Sequence, residues 1–267
     1  MKPARFPRAV VVPVTRRLKR GAYRIGEALG DRVLIGKTPG GSPIALSMRD
    51  HQHRVMYFYG VYEPEITSLF RRLVTPGSTV FDVGANAGYF AILSRELGAT
   101  VHAFEPNPVV RALLTQSVEL GPGGIEVVPC ACSDHAGTLP LYLSDPGETG
   151  RSGLMVARDT WVDVDVITLD EYARRTHARP QLVKIDVEGA EARVIRGMSE
   201  LLRTVKPTLI IELHVTKGAV EHATHAEVAD LLDMAGYEHK PIDSDDPDSD
   251  GPVRSHIVAT PRVNQAL

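Results

Sequence analysis

Hydrophobic positions along this chain fall into short apolar runs that alternate with amphipathic stretches. Val80–Val83, Thr100–Phe104, Ile125–Ala131, Leu182–Ile185 and Thr208–Ile211 are of strand length and strand composition. Between and after them, Tyr89–Leu97, Val109–Leu120, Leu169–Arg175, Ala190–Leu202 and His225–Ala235 space their apolar residues as helices do. Strands alternating with helices predict a parallel sheet with helical crossovers. Thr138–Leu143 and Trp161–Val166 form a β insertion after the third strand. At the far end, Tyr237–Ile242 and His256–Ala259 are joined by an acidic loop without a helix. That connection predicts a mostly parallel, seven-stranded sheet with an antiparallel strand at one end.

Upstream of the sheet, Val33–Ile35 and Ile44–Leu46 flank Thr38-Pro39-Gly40-Gly41-Ser42, a hairpin by its turn residues. Ile66, Leu69, Phe70 and Leu73 mark a helix that Pro64 opens and Pro76-Gly77 closes. Arg16–Leu29 has a thin apolar side and many bases. The chain therefore divides into residues 1–75, a cap of basic arm, hairpin and helix, and residues 76–262, a Rossmann-like α/β domain.

Composition narrows the function. A net charge of −3 over 267 residues gives no overall reason to expect a nucleic-acid partner. The first thirty residues hold eight bases against one acid, so this arm can lie on an acidic membrane surface or simply face solvent. No apolar run approaches the roughly 18 residues of a membrane span. Two cysteines cannot make a disulfide framework, which points to a reducing, cytoplasmic setting.

The chemistry centres on Thr79–Phe90, a strand, a tight turn and a helix. Gly84 and Gly88 free the backbone to bend and to approach a ligand. Asp82 is expected at the lip of the crevice. A dinucleotide fingerprint fails here, because Asn86 and Tyr89 stand where its second and third glycines belong. The form Asp-x-Gly-x-Asn-x-Gly is similar to the first motif of S-adenosylmethionine-dependent methyltransferases. Glu105 ends the second strand 23 residues after Asp82, where an acid can accept from both ribose hydroxyls. After the third strand, Asp134 with Ser133 can meet the adenine amino group, or Asp134–Gly137 can be an ordinary turn. Asp186, Glu188, Glu212 and His214 are expected on the same rim, at the carboxyl ends of the strands.

Asp82–Gly88, Phe104-Glu105-Pro106, Ile167–Asp170, Lys184–Glu191 and Ile211–His214 occur in that order, with Gly60-Val61-Tyr62-Glu63 before them. Together they resemble the FkbM family of methyltransferases over roughly residues 60–259. The resemblance implies a class I Rossmann-like methyltransferase, S-adenosylmethionine as donor, and a hydroxyl acceptor on a small natural product or sugar. The expected donor site is then Tyr62, Glu63, Asp82, Gly84, Asn86, Gly88, Glu105, Pro106, Ser133 and Asp134, with the cap closing over it.

For acceptor activation, His214 is the candidate general base, acting as a neutral imidazole beside Asp186 and Glu212. The rival is Mg²⁺ held by Asp186 and Glu212. A different class, a non-catalytic S-adenosylmethionine-fold binding module, has no need of an intact glycine motif and Glu105. Three further groupings carry no chemistry. Cys130 and Cys132 are two thiols, too few for zinc. Asp246, Asp248 and Asp250 open a calcium-like loop that lacks its closing Glu. His222 and His225 have no third ligand nearby.

Overall fold

The computed structural model describes residues 28–144, 152–154, 159–214, 225–242 and 255–262. The basic arm, His222 and the calcium-like loop lie outside the described residues. The described chain opens with a hairpin, β1 (Val33–Lys37) and β2 (Pro43–Ser47), with Ile35 opposite Ala45. Glu96 holds its turn, accepting from the Thr38 hydroxyl and from the amides of Gly40 and Ser42 at 3.1 and 3.0 Å.

A helix that the sequence pattern does not reveal follows, α1 (His51–Tyr59). Asp50 caps it, accepting from the amides of Gln52 and His53 at 2.8 and 3.2 Å. The helix buries His53, Arg54 and Met56, so two of its three inward residues are polar and no apolar stripe marks it. It ends at Gly60, in the left-handed region at φ 67°. Next, α2 (Pro64–Leu73) has proline in its first turn and buries Ile66 and Phe70.

The main sheet is built from β3 (Thr79–Val83), β4 (Thr100–Phe104), β5 (Ile125–Val128), β9 (Leu182–Ile185), β10 (Thr208–Leu213), β11 (Tyr237–Ile242) and β12 (Ser255–Pro261). Their order across the sheet is β11-β12-β10-β9-β3-β4-β5. The neighbours from β10 to β5 are parallel, and β12 runs antiparallel to both β10 and β11, one place in from the edge. Connecting helices are α3 (Tyr89–Glu96), α4 (Pro108–Leu120), α5 (Leu169–Thr176), α6 (Glu191–Arg196), α7 (Ser199–Thr204) and α8 (His225–Met234).

Strand residues alternate between two cores, as the two-residue period of a pleated sheet requires. Val80, Val101, Leu182 and Ile210 pack toward the cap and α3–α4, against Ile44, Met56, Phe70, Phe90 and Leu114. Phe81, Phe104, Val183 and Ile211 pack the other way, against Tyr172, Val194, Met198 and Leu232.

Two expected elements are broken in the structure. The run Ile125–Ala131 is not one strand: β5 stops at Val128, and β6 (Ala131–Cys132) leaves the main sheet to pair with β8 (Trp161–Ile167). Pro129 lies between them and has no N–H for a ladder. The insertion thus becomes a small second sheet, β6-β8-β7, where β7 is Gly137–Tyr142. The stretch Ala190–Leu202 is likewise two helices, α6 and α7. At the joint Gly197 lies on a neighbouring backbone: a Cβ there would sit 2.0 Å from the Ser133 carbonyl oxygen. Asp170 caps the restart, accepting from the amides of Glu200 and Leu201 at 2.8 and 2.9 Å.

Candidate active site

The cleft lies at the carboxyl ends of β3, β4 and β9, where the topology of an open parallel sheet places a ligand. It is lined by Gly84, Asn86, Glu105, Pro106, Asp186, Val187 and Glu188, with Gln52 of α1 on one side and Leu141 and Gly153 of the insertion on another. The turn after β3 is tied down by its backbone, since the amides of Gly84 and Ala85 both donate to the Phe104 carbonyl at 3.0 Å. Gly84 has φ 80°, and a Cβ there would stand 1.8 Å from the Asp186 carbonyl oxygen, so only glycine fits. Asn86 is also left-handed, at φ 51°, a conformation asparagine tolerates better than most residues.

Glu105 is buried at the head of this turn. Its two carboxylate oxygens accept from the amides of Asn86 and Asn107, each at 2.9 Å. Burial pushes its carboxyl up to about 7, against the pull of those two amides. Each oxygen keeps a lone pair for a further donor, as a ribose diol would supply.

A second group of charges adjoins the cleft. Lys184 is buried in β9, its ammonium 3.0 Å from Asp186, 4.0 Å from Asp82 and 5.3 Å from the centre of the Phe90 ring. Burial works against its charge, but Asp186 and Asp82 outweigh burial and raise its pKa. His214, just past β10, is clamped by carboxylates. Its Nδ1 lies 3.0 Å from Glu191, and its Nε2 lies 3.3 Å from Glu212, 3.5 Å from Glu188 and 3.8 Å from Asp186. The other oxygen of Glu212 stands 3.3 Å from Nε2 of His256 on β12, which in turn is 3.6 Å from Glu63 of the cap. Burial opposes ionisation of Glu212, yet the two imidazoles hold its carboxyl well below the usual range. Glu63 is pushed up to about 7, first by burial and then by Glu212.

The structure brings together Gly84, Asn86, Glu105, Pro106 and Asp186 in the cleft, and Asp186, Glu212 and His214 beside it. It does not bring the other expected donor residues there. Asp82 is buried one residue before the strand end, facing Lys184 instead of the lip, and burial raises its carboxyl to about 6. Gly88 opens α3 and makes room for Leu114 Cδ1, which a Cβ would approach to 2.5 Å. Tyr62 packs edge-on against Tyr89, with ring centres 5.8 Å apart, and Glu63 joins His256. Ser133 is buried behind the insertion and donates to Asp134, which is exposed and also contacts His135.

The neutral imidazole expected of His214 is not what this setting produces. Burial disfavours its charge, but Glu191 and Glu212 dominate and push its pKa up to about 11. A histidine holding its proton at neutral pH is a cation, not a base. Sequence reasoning also missed Gln52, His53, Glu191 and His256. Glu191 sits inside the Lys184–Glu191 motif, which was the one available signal; the others belong to elements with no chemical pattern.

A seven-stranded sheet with one antiparallel strand, a glycine turn after β3 and a buried acid at the end of β4 define a class I, Rossmann-like methyltransferase. The chain belongs to the FkbM methyltransferase family: the methyltransferase FkbM domain matches residues 82–239. It is 29% identical over 153 residues to the hexuronic acid methyltransferase AglP of Haloferax volcanii, covering 57% of this chain and 62% of that protein. It is 32% identical over 196 residues to the 31-O-demethyl-FK506 methyltransferase FkbM of Streptomyces tacrolimicus, covering 61% of this chain and 73% of that one. Among solved structures, methyltransferase FkbM from Methylobacillus flagellatus KT superposes with a TM-score of 0.47 at 15% identity, over 90% of this chain and 58% of that one. Among the described residues, no helix is long and apolar enough to cross a membrane.

Proposed function

We propose that this protein transfers the methyl group of S-adenosylmethionine to a hydroxyl oxygen of a small molecule, a sugar or a natural product. The observation that carries this reading is the double position of Asp186, which lines the cleft and also stands 3.8 Å from His214 in the carboxylate–imidazole group. An acceptor held at that junction meets the donor site on one side and proton-handling groups on the other. The names of two relatives point the same way, one to a hexuronic acid and one to an O-methyl position.

When bound, S-adenosylmethionine supplies an electrophilic methyl carbon on a sulfonium. Glu105 fits its ribose, as a buried carboxylate with a lone pair to spare on each oxygen. The acids around Lys184 and His214 outnumber the bases, which suits a positively charged donor. Asp186 and Glu188, on the cleft wall, are placed to take the hydroxyl proton as the new bond forms. From the described part of the cap, Gln52 lines the cleft and Glu63 stands 3.6 Å from His256.

A divalent cation also fits. Asp186, Glu212 and His214 each offer one ligand atom within 4.8 Å of the others. With Glu191 at Nδ1, Nε2 of His214 is aimed at the carboxylates, and an ion bound there would take the place of the Nε2 proton, the arrangement usual for a metal-bound imidazole. Mg²⁺ held there would lower the pKa of an acceptor hydroxyl.

The test is to follow S-adenosylhomocysteine release from purified protein given S-adenosylmethionine and a panel of uronic acids and secondary alcohols, with and without chelator. Turnover on at least one acceptor is expected, lost on chelation and restored by Mg²⁺ or Mn²⁺. Turnover that survives chelation removes the cation and leaves the transferase standing. Tight donor binding with no turnover on any acceptor favours a binding module instead.

A further inference from the structure

We infer that the first turn of α1 belongs to the donor site, with His53 as a positioning residue that holds the Asn86 turn and so sets donor affinity. This rests on the reading of Asn86 and Glu105 as part of that site. His53 is fully buried, with 0% exposure. The amide of Ser47 donates to its Nδ1 at 3.2 Å, so the ring proton sits on Nε2. Nε2 then donates to the side-chain oxygen of Asn86 at 2.9 Å. The same oxygen accepts from the amide of Ala87 at 2.7 Å, and the amide of Asn86 donates to Glu105 at 2.9 Å.

A continuous run of hydrogen bonds thus passes from the β2 backbone through a cap histidine to the carboxylate at the end of β4. Each member has its role fixed by the next. The tautomer of His53 follows from Ser47, the rotamer of Asn86 from two donors converging on one oxygen, and the orientation of Glu105 in part from the Asn86 amide. Asn86 needs such restraint. A non-glycine residue in the left-handed region persists when its surroundings over-determine it. One residue earlier on the same helix, Gln52 lines the cleft, so the first turn of α1 meets both the glycine turn and the cleft wall. His53 does not line the cleft, which is why it is a positioning residue and not a contact.

The alternative is that His53 merely fills space beneath the cap, and two variants separate the ideas. His53→Gln keeps an N–H donor close to the position of Nε2. Met56→Ala, in the same helix and buried in the same core, loosens the cap without touching Asn86. In the 267-residue chain we expect His53→Ala to weaken S-adenosylhomocysteine binding by about tenfold in calorimetry, the worth of about one hydrogen bond. Turnover at saturating donor should change by no more than about twofold, because the reacting groups are elsewhere.

Without ligand, the amides of residues 84–88 should exchange faster with deuterium in His53→Ala than in the wild type. His53→Gln should restore both affinity and protection, and Met56→Ala should lower the melting temperature while leaving affinity within about threefold. Unchanged exchange at 84–88 in His53→Ala overturns the inference, and so does an equal loss of affinity in Met56→Ala. Failure of the donor reading would look different: the wild type itself would not bind S-adenosylhomocysteine, while the exchange measurement would still decide whether His53 holds the turn.

Discussion

Glu105 permits a prediction whose size follows from its surroundings. Burial raises its carboxyl to about 7, and its two oxygens already accept from backbone amides. A ribose diol donating to those oxygens stabilises the ionised form, so donor binding releases a proton when the pH is below about 7. Affinity should therefore rise with pH through that value and flatten above it. At pH 6 about one protein in ten holds Glu105 ionised, which weakens binding about tenfold relative to the plateau. Glu105→Gln cannot ionise. At pH 8 it loses a charge-assisted bond of about 2 kcal/mol, roughly a thirtyfold change in dissociation constant. At pH 6 the wild type has lost tenfold of its own, so the gap should close to about threefold. Calorimetric titration with S-adenosylhomocysteine from pH 6 to 9, in two buffers of different ionisation enthalpy, measures both the affinity and the proton released. A wild-type affinity that is flat across this range, or a variant that is equally weakened at pH 6 and pH 8, would refute the assignment of Glu105 to the ribose.

Gly84→Ala should both destabilise the fold and abolish tight donor binding. A left-handed alanine costs about 1–2 kcal/mol before its Cβ displaces the Asp186 carbonyl, and a melting curve together with calorimetry checks it. Asp134→Ala should leave the dissociation constant of S-adenosylhomocysteine within about twofold, because Asp134 is solvent-exposed beyond the cleft; a tenfold loss would restore it to the adenine site.

Much of the architecture was legible because hydrophobic period and strand length agree. Leu182–Ile185 falls where its apolar run places it. The glycine turn and Glu105 were legible because their chemistry demands particular residue types. What stayed hidden obeys other constraints. Helix α1 turns a histidine and an arginine inward, so it has no apolar periodicity to detect. At the break, Gly197 lies against the Ser133 carbonyl, a neighbour remote in sequence. The raised pKa of His214 depends on four carboxylates, Asp186, Glu188 and Glu191 after β9 and Glu212 on β10, whose distances from the imidazole only the folded chain sets.

The carboxylate of Glu212 faces one histidine with each oxygen, and through His256 it meets Glu63. Replacing the segment that carries Glu63 is therefore not a matter of joining chains upstream of the sheet. A grafted cap that lacks an acid at position 63 would leave His256 with one carboxylate fewer, and the charge balance felt by Glu212 and His214 would change with it. Chimeras in this family should be assembled with residues 63 and 256 inherited from the same parent.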